Sequence, residues 1–345
     1  MVAGLSGGSA SGMVALSRTG ASMSQPWEKE RLAARLPYLR RRALLTAGTR
    51  AFFTARGYME VETPYAVAAP GEEVHLRAFG LRPGEKYLHT SPEFAMKKLL
   101  AGGAGPIFQF ARVWRDEPAS PAHAPEFTML EWYRPGATLA GLMDETELLL
   151  RAVLPPAMEW GGCTVDLTSF ERITVAEAFA RHAGMDILAT AEDAPALAAA
   201  AGILRRDGEE WEDLFFRLLL ERVEPRIGRS RPTFLTHWPA AQAALARRDP
   251  ADPRVAERFE LYIAGLELAN AFVELTDAAE QRARFIADRA RRHALRGPDW
   301  KLDEDFLAAV AQLPPCAGIA LGFDRLAMLA TGASRIENML WLPPD

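Results

Sequence analysis

The stretch that most restricts this chain is Pro106 to Pro135, PIFQFARVWRDEPASPAHAPEFTMLEWYRP. It reads as two β-strands joined by a polar loop, Pro118 to Pro125, because side chains alternate with period two on both sides of a proline-rich break. From Ile107 to Glu117 the alternation puts Gln109, Ala111, Val113, Arg115 and Glu117 on one face, and Phe108, Phe110, Arg112 and Trp114 on the other. From Glu126 to Tyr133 it puts Phe127, Met129, Glu131 and Tyr133 together. One side of a hairpin thus gathers an arginine, aromatic rings and carboxylates. A guanidinium grips a phosphate bidentately and a Phe face holds a flat base, so the set suits a nucleotide. Singly, the same residues have ordinary uses: Arg115 with Glu117 as a surface ion pair, Phe127 as a core residue.

Composition narrows the class. With 345 residues, 49% of them hydrophobic, the chain has material for one large or two ordinary domains. No apolar run approaches the roughly 20 residues that cross a bilayer, which argues against a membrane protein. Two cysteines, Cys163 and Cys316, form neither a disulfide framework nor a ligand cluster, so a reducing cytoplasm is expected, with both thiols as buried packing. A formal charge of −5 and a pI near 5.8 argue against a chain whose main work is gripping nucleic-acid phosphates, while leaving room for a local basic patch. Residues 1–27 are mostly Gly, Ser and Ala without periodicity and are expected to be a disordered extension to a catalytic unit spanning 28–345.

Other stretches carry local signals. Glu28 to Arg56 reads as mostly helical with Pro37 breaking it or starting a turn, Gly57 as a cap, and Tyr58 to Thr63 as a strand ended by Pro64. A short strand at Tyr87 leads into a helix opened by Ser91, with Pro92 in its first position and Glu93 at the positive end of its dipole. Residues from about 138 to 255 read as a helical insertion; in it Thr174-Val-Ala-Glu177 is a capping box for Val175 to Ala183, and Phe234 to Trp238 is a returning strand. Phe259 to Ile263, a turn at Ala264-Gly265 and Leu266 to Leu275 form a second hairpin. A regular strand would send Glu267 and Glu274, seven apart, to opposite faces. A kink at Ala269 and Ala271 around Asn270 would let both reach one ion; without it they are glutamates in water. Asp277-Ala-Ala-Glu280 opens an arginine-rich helix, Gln281 to Leu295, stopped at Gly297-Pro298, whose charges read as a solvated face or a docking patch. In Pro314 to Leu326 an apolar strand enters a helix near Phe323, and Gly318, Ala320 and Gly322 leave space for a ligand against the backbone.

In order, these stretches resemble the three motifs of the class II aminoacyl-tRNA synthetases. The helix followed by Met59-Glu-Val-Glu-Thr-Pro64 resembles motif 1; Arg115-Asp116-Glu117 with His123 and Phe127 resembles motif 2; Gly322-Phe-Asp-Arg325 resembles motif 3. The wording PEFTMLEWY is similar to the lysyl-tRNA synthetases, and closer still to their truncated paralogues that ligate β-lysine to elongation factor P. The resemblance implies an α+β fold, an antiparallel sheet flanked by helices, working as a homodimer. It implies ATP bound by Arg115, Asp116, Glu117, His123, Phe127, Glu267, Leu268, Gly322 and Arg325, with Arg115 on the α-phosphate and Arg325 on the γ-phosphate as the catalytic pair. Magnesium would lie on Glu267 and Glu274. Ser91, Pro92, Glu93, Glu131, Tyr133, Asn270, Glu274 and Ala320 would surround the amino acid, and so much acid predicts a substrate with two amino groups, lysine or β-lysine.

The acceptor follows from the same comparison. Lysyl-tRNA synthetases of this kind carry an anticodon-binding barrel on the order of 100 residues before motif 1, and only about 35 residues precede the motif 1 helix here. That argues against tRNA and for the ε-amino group of a lysine on elongation factor P. A free-standing aminoacylator of tRNA or of a small molecule is the alternative enzyme, and a regulatory paralogue that binds without chemistry is the non-enzyme reading. Two departures stand out. The loop reads Pro121-Ala-His-Ala-Pro-Glu-Phe127 where the paralogues have Arg-Tyr-His-Asn-Pro-Glu-Phe, and Val273 replaces a frequent His.

Overall fold

The computed structural model describes residues 25–72, 74, 76–82, 84–190, 192–295 and 300–343. Most of the expected disordered extension and the Gly297-Pro298 helix stop lie outside the described residues.

The first helix, α1 (Lys29–Thr54), runs unbroken through Pro37, contrary to the break or turn expected there. Proline forfeits a backbone bond, but the helix is pinned on both sides of it. Before it, Arg35 Nη1 donates to Leu340 O at 2.9 Å; after it, Leu39, Leu45, Phe52 and Phe53 are buried. Tertiary anchoring outweighs the local cost. Gly57 then takes φ +78, which turns the chain into β1 (Met59–Glu60), a shorter strand than the Tyr58–Thr63 run expected. A small sheet of β2 (Ala66–Val67), β3 (Gly80–Leu81) and β4 (Lys86–Leu88) precedes α2 (Glu93–Ala101). The hairpin follows as β5 (Ile107–Trp114) and β6 (Glu126–Pro135), and Arg115 N still donates to Pro125 O at 2.8 Å beyond the strand end.

Residues 138–255 are not a purely helical insertion. After α3 (Leu139–Val153) they form the hairpin β7 (Ala157–Trp160) and β8 (Cys163–Asp166), and β9 (Glu171–Thr174) joins the main sheet. Then come α4 (Val175–Ala183), opened by the expected Thr174–Glu177 capping box, α5 (Ala194–Ala201), α6 (Trp211–Leu218) and β10 (Thr233–Pro239). Phe179, Phe215 and Trp238 centre a second core that packs α4 to α6 on this edge of the sheet. The chain continues through β11 (Val255–Ile263), β12 (Leu266–Val273), α7 (Ala278–Ala294), α8 (Glu304–Val310), β13 (Cys316–Gly322) and α9 (Phe323–Thr331).

Eight strands form the main sheet in the order β1-β5-β6-β13-β12-β11-β10-β9, antiparallel except for the β1–β5 and β9–β10 pairs. The antiparallel sheet expected from the resemblance is therefore present, with parallel edges. Period two sorts its faces. Phe108, Leu130, Trp132, Ile319 and Leu261 point to one side, where α1, α3 and α9 cover them with Phe53, Leu149 and Leu326. Burying a side chain such as Phe53 or Phe108 contributes about 1.5–3 kcal/mol. The partner residues Met129, Tyr133, Ala320, Asn270 and Phe272 point to the opposite side and line a cavity. The sheet is thus the floor of the site, and the helical layer beneath it makes that floor stiff.

Candidate active site

The cavity measures about 430 Å³, and its two ends differ in chemistry. Arg115, Glu117, His123, Phe127, Gly322 and Arg325 line one end, together with Glu267 and Leu268 from β12. Ser91, Glu93, Tyr133, Asn270 and Ala320 line the other. The two arginines, far apart in sequence, therefore face one space.

At the first end Arg115 is held in readiness for an anion. Its guanidinium carbon lies 5.4 Å from the centre of the Phe127 ring, and its buried Nε has no hydrogen-bond partner among the described residues. A buried unpaired donor is costly unless a ligand satisfies it. Arg325 is tied across the cavity mouth: Nη1 donates to Glu267 O at 2.6 Å, Nε to Ala122 O at 3.3 Å, and Nη2 to His123 Nε2. Because a guanidinium only donates, His123 Nε2 is an acceptor and the ring proton sits on Nδ1, 2.8 Å from Ser120 Oγ. Burial, then Arg325, hold the His123 pKa below its ordinary value, so the ring is neutral here. The positive charge of this pair is therefore that of Arg325. Asp116 faces solvent, its N–H donating to Arg77 O at 2.9 Å, and does not line the cavity.

The second end is an acceptor-rich pocket built in two tiers. Glu131 is fully buried beneath the surface and accepts from Ser91 Oγ at 2.6 Å and from Tyr133 Oη at 2.8 Å. Glu131 does not line the cavity, contrary to the expectation that it would surround the amino acid, but acts through those hydroxyls: their protons point inward, leaving lone pairs outward for a cationic ligand. Burial, reinforced by Glu93, pushes the Glu131 carboxyl up to about 8. Ser91 Oγ also accepts from Glu93 N at 3.0 Å, while Pro92 caps α2 one residue before the helix starts, its carbonyl accepting from Met96 N at 3.0 Å. Gly318, Ala320 and Gly322 all line the cavity, and a Cβ on Gly318 would stand 2.2 Å from the Tyr133 ring and 2.8 Å from Glu274 Oε1.

Glu267 and Glu274 are not brought together as a metal-binding pair. The strand does carry a bulge, but at Leu268, where Leu261 pairs Ala269 and Tyr262 pairs Glu267, rather than around Asn270. The extra residue returns Glu267 to the cavity face. Glu274 also lies on that side of the sheet, yet at the far end of β12: its N–H donates to Cys316 O at 2.9 Å and its Oε2 lies 2.5 Å from Lys97 Nζ. Glu267 stands half exposed beside Arg325, its Oε2 4.0 Å from Nη1. Among the described residues no group of three or more His, Cys, Asp or Glu could hold a metal.

Two cations beside the cavity, the buried Lys97 and the half-buried Arg258, carry no signal that the sequence analysis used. Lys97 bridges Glu93 and Glu274 from α2; its spacing of four from Glu93 was a legible signal. Arg258 on β11 lies 4.2 Å over the Trp238 ring and donates from Nε to Asn270 Oδ1 at 3.1 Å and from Nη2 to Glu260 at 2.6 Å. Since Arg258 can only donate, the Asn270 amide has its oxygen toward β11 and its NH₂ free to serve an acceptor in the cavity. No sequence spacing marks that cross-strand pair. The arginine-rich helix α7 is not simply solvated either: Arg284 donates to Ala246 O at 2.9 Å, and Arg292 is buried against Glu72 at 3.0 Å. Val273 lies in the core on the opposite face, so its departure from the family pattern does not reach the cavity.

Residues 28–345 match the family described as tRNA synthetases class II (D, K and N). Among similar curated proteins, one of Klebsiella pneumoniae (strain 342) is 45% identical over 91% of this chain and 97% of its own length. Another, of Proteus mirabilis (strain HI4320), is 44% identical over 90% of this chain and 96% of its own. A third, of Salmonella dublin, is 44% identical over 91% and 97%. All three are named elongation factor P--(R)-beta-lysine ligase. No helix among the described residues is long and apolar enough to cross a membrane. By its sheet, its two-ended cavity and these matches, the chain belongs to the class II tRNA synthetase family of the D, K and N type, in the group whose curated members are elongation factor P--(R)-beta-lysine ligases.

Proposed function

We propose that this chain activates β-lysine, or lysine, with ATP and ligates it to the ε-amino group of a lysine on elongation factor P. The observation that carries the reading is one cavity with an arginine at one end, its buried Nε without a hydrogen-bond partner among the described residues, and an acid-backed pocket at the other. An amino-acid carboxylate is ionised at neutral pH, so its attack on the α-phosphate needs no general base. The new bond joins carboxylate oxygen to α-phosphorus; the bond to the bridging oxygen breaks and pyrophosphate leaves. Arg115 meets the charge that grows on the α-phosphate, and Arg325 meets the outer phosphates once they displace its ties to Glu267 and His123. Asn270, turned by Arg258, offers its NH₂ to the substrate carboxylate. Ser91, Tyr133 and Glu93 receive its ammonium groups.

Magnesium fits at the phosphate end in a reduced form. Glu267 gives one hard oxygen donor beside Arg325, and magnesium is commonly held by one or two carboxylates with substrate phosphates completing the shell. The ion would supply charge neutralisation there. Glu274, expected both on the metal and around the amino acid, keeps only the second of those places. We further propose a homodimer, supported by the family and by Leu44 of α1 and Met59 of β1, which stand 66% and 51% exposed.

Exchange of labelled pyrophosphate into ATP tests the first step. Exchange dependent on lysine or either β-lysine enantiomer is expected, and none with norleucine, which lacks the second ammonium. Equal exchange with norleucine would refute the pocket assignment.

A further inference from the structure

Beneath the amino-acid end lies a buried group of charges that the proposed reaction leaves partly unused. Lys97 sits on α2, one turn past Glu93, with its side chain 3% exposed. Its ammonium contacts Glu93, whose side chain is 13% exposed and lines the cavity, and Glu274, whose side chain is 0% exposed, at 2.5 Å. Phe272 and Phe306 wall it in, their ring centres 5.1 and 6.0 Å from Nζ. Glu274 keeps both carboxylate oxygens free of a well-directed hydrogen bond among the described residues, and Oε1 lies under Gly318 at the cavity floor. A carboxylate so buried and so poorly satisfied is costly in the empty protein. Lys97 is the described cation that contacts it.

We propose that Lys97 is a positioning residue of the amino-acid pocket, an internal cation that ties Glu93 to Glu274, offsets one of the pocket's negative charges, and sets its demand at two further positive charges. The proposal rests on the reading of this cavity as the site of amino-acid activation. Charge counting gives the number. Glu93, Glu131 and Glu274 can carry three negative charges, and Lys97 cancels one of them. A diammonium amino acid neutralises the remainder. Around this group α2 contributes Glu93 and Lys97, β6 contributes Glu131 and Tyr133, the end of β12 contributes Glu274, and β13 contributes the buried thiol of Cys316. Burial already pushes the Glu274 carboxyl up to about 8 against the pull of Lys97; without that cation it would hold its proton more tightly, and the substrate must then expel it. The loss of affinity should therefore depend on pH.

The test is Lys97→Met in the full chain, read as KM for the amino acid in pyrophosphate exchange from pH 6.5 to 9. We expect KM to rise at least tenfold at pH 6.5, with that ratio shrinking as pH rises, while KM for ATP stays within twofold. A ratio constant across pH, an unchanged KM, or a parallel rise in KM for ATP would overturn the proposal. Absence of lysine- or β-lysine-dependent exchange in the unaltered protein would instead overturn the activation reading itself. If Lys97→Met does not fold, calorimetric titration of the unaltered protein with the amino acid at pH 7, in two buffers of different ionisation enthalpy, decides the charge count. Net release of protons on binding supports it, because burial pushes the Glu131 and Glu274 carboxyls up to about 8 and a diammonium ligand must ionise them; no net release overturns it.

Discussion

Arg115 and Glu131 show the two ways a residue serves this cavity. Arg115 touches it and keeps a buried donor without a partner among the described residues, so Arg115→Ala should remove stabilisation that matters only as phosphate charge develops. The expected loss is about 10²- to 10³-fold in kcat for exchange, with KM for the amino acid little changed; an equal rise in that KM would show a general binding role. Glu131 works from behind Ser91 and Tyr133, and its pKa near 8, raised by burial and Glu93, makes binding proton-linked. The folded value lies above the ordinary carboxylate value of about 4.3, so this group's contribution to stability is full below that value and is lost as pH rises through about 8. A bound diammonium ligand favours the ionised form, so the ligand-induced rise in Tm should grow from pH 6 to pH 8.5. A rise independent of pH would contradict the assignment. The sequence put Arg115, Phe127 and Tyr133 on one face by period two alone. It could not show that Glu131 sits below the surface, because that depends on which hydroxyls fold over it.

Between elements, the tie that matters most runs through Asp324. It is buried at the start of α9, accepts from Arg42 Nη2 of α1 and from Thr128 N of β6, both at 2.7 Å, and immediately precedes Arg325. Helix, hairpin and final motif are thus fixed to one carboxylate. Asp324→Asn weakens charge-assisted bonds and strands a largely buried Arg42, and should cost about 3 kcal/mol in urea unfolding; a loss under 1 kcal/mol would mean the elements hold their places without it. Gly318→Ala forces a methyl group against the Tyr133 ring, so about 1–3 kcal/mol of stability should be lost along with amino-acid affinity. Strand pairs with clear alternation were legible in advance, as were capping boxes such as Thr174–Glu177. The unbroken α1 and the strands within 138–255 were not, because distant contacts such as Arg35 to Leu340 decide them. The bulge was expected, but its place at Leu268 is set by the β11 register.

At the scale of the whole molecule, α1 links the outside to the cavity: its inner face carries Arg42 and Phe53, and its outer face leaves Leu44 exposed. Sedimentation should therefore find a dimer that Leu44→Glu weakens; a monomer at micromolar concentration would contradict the proposed assembly. The central claim, however, concerns what the activated amino acid is given to. Intact-mass analysis of elongation factor P, after incubation with this protein, ATP and (R)-β-lysine, tests it most directly. The account predicts a gain of one lysyl unit on a single lysine, abolished by Arg115→Ala. Pyrophosphate exchange with no gain in mass, or the same charge appearing on tRNA instead, would contradict it.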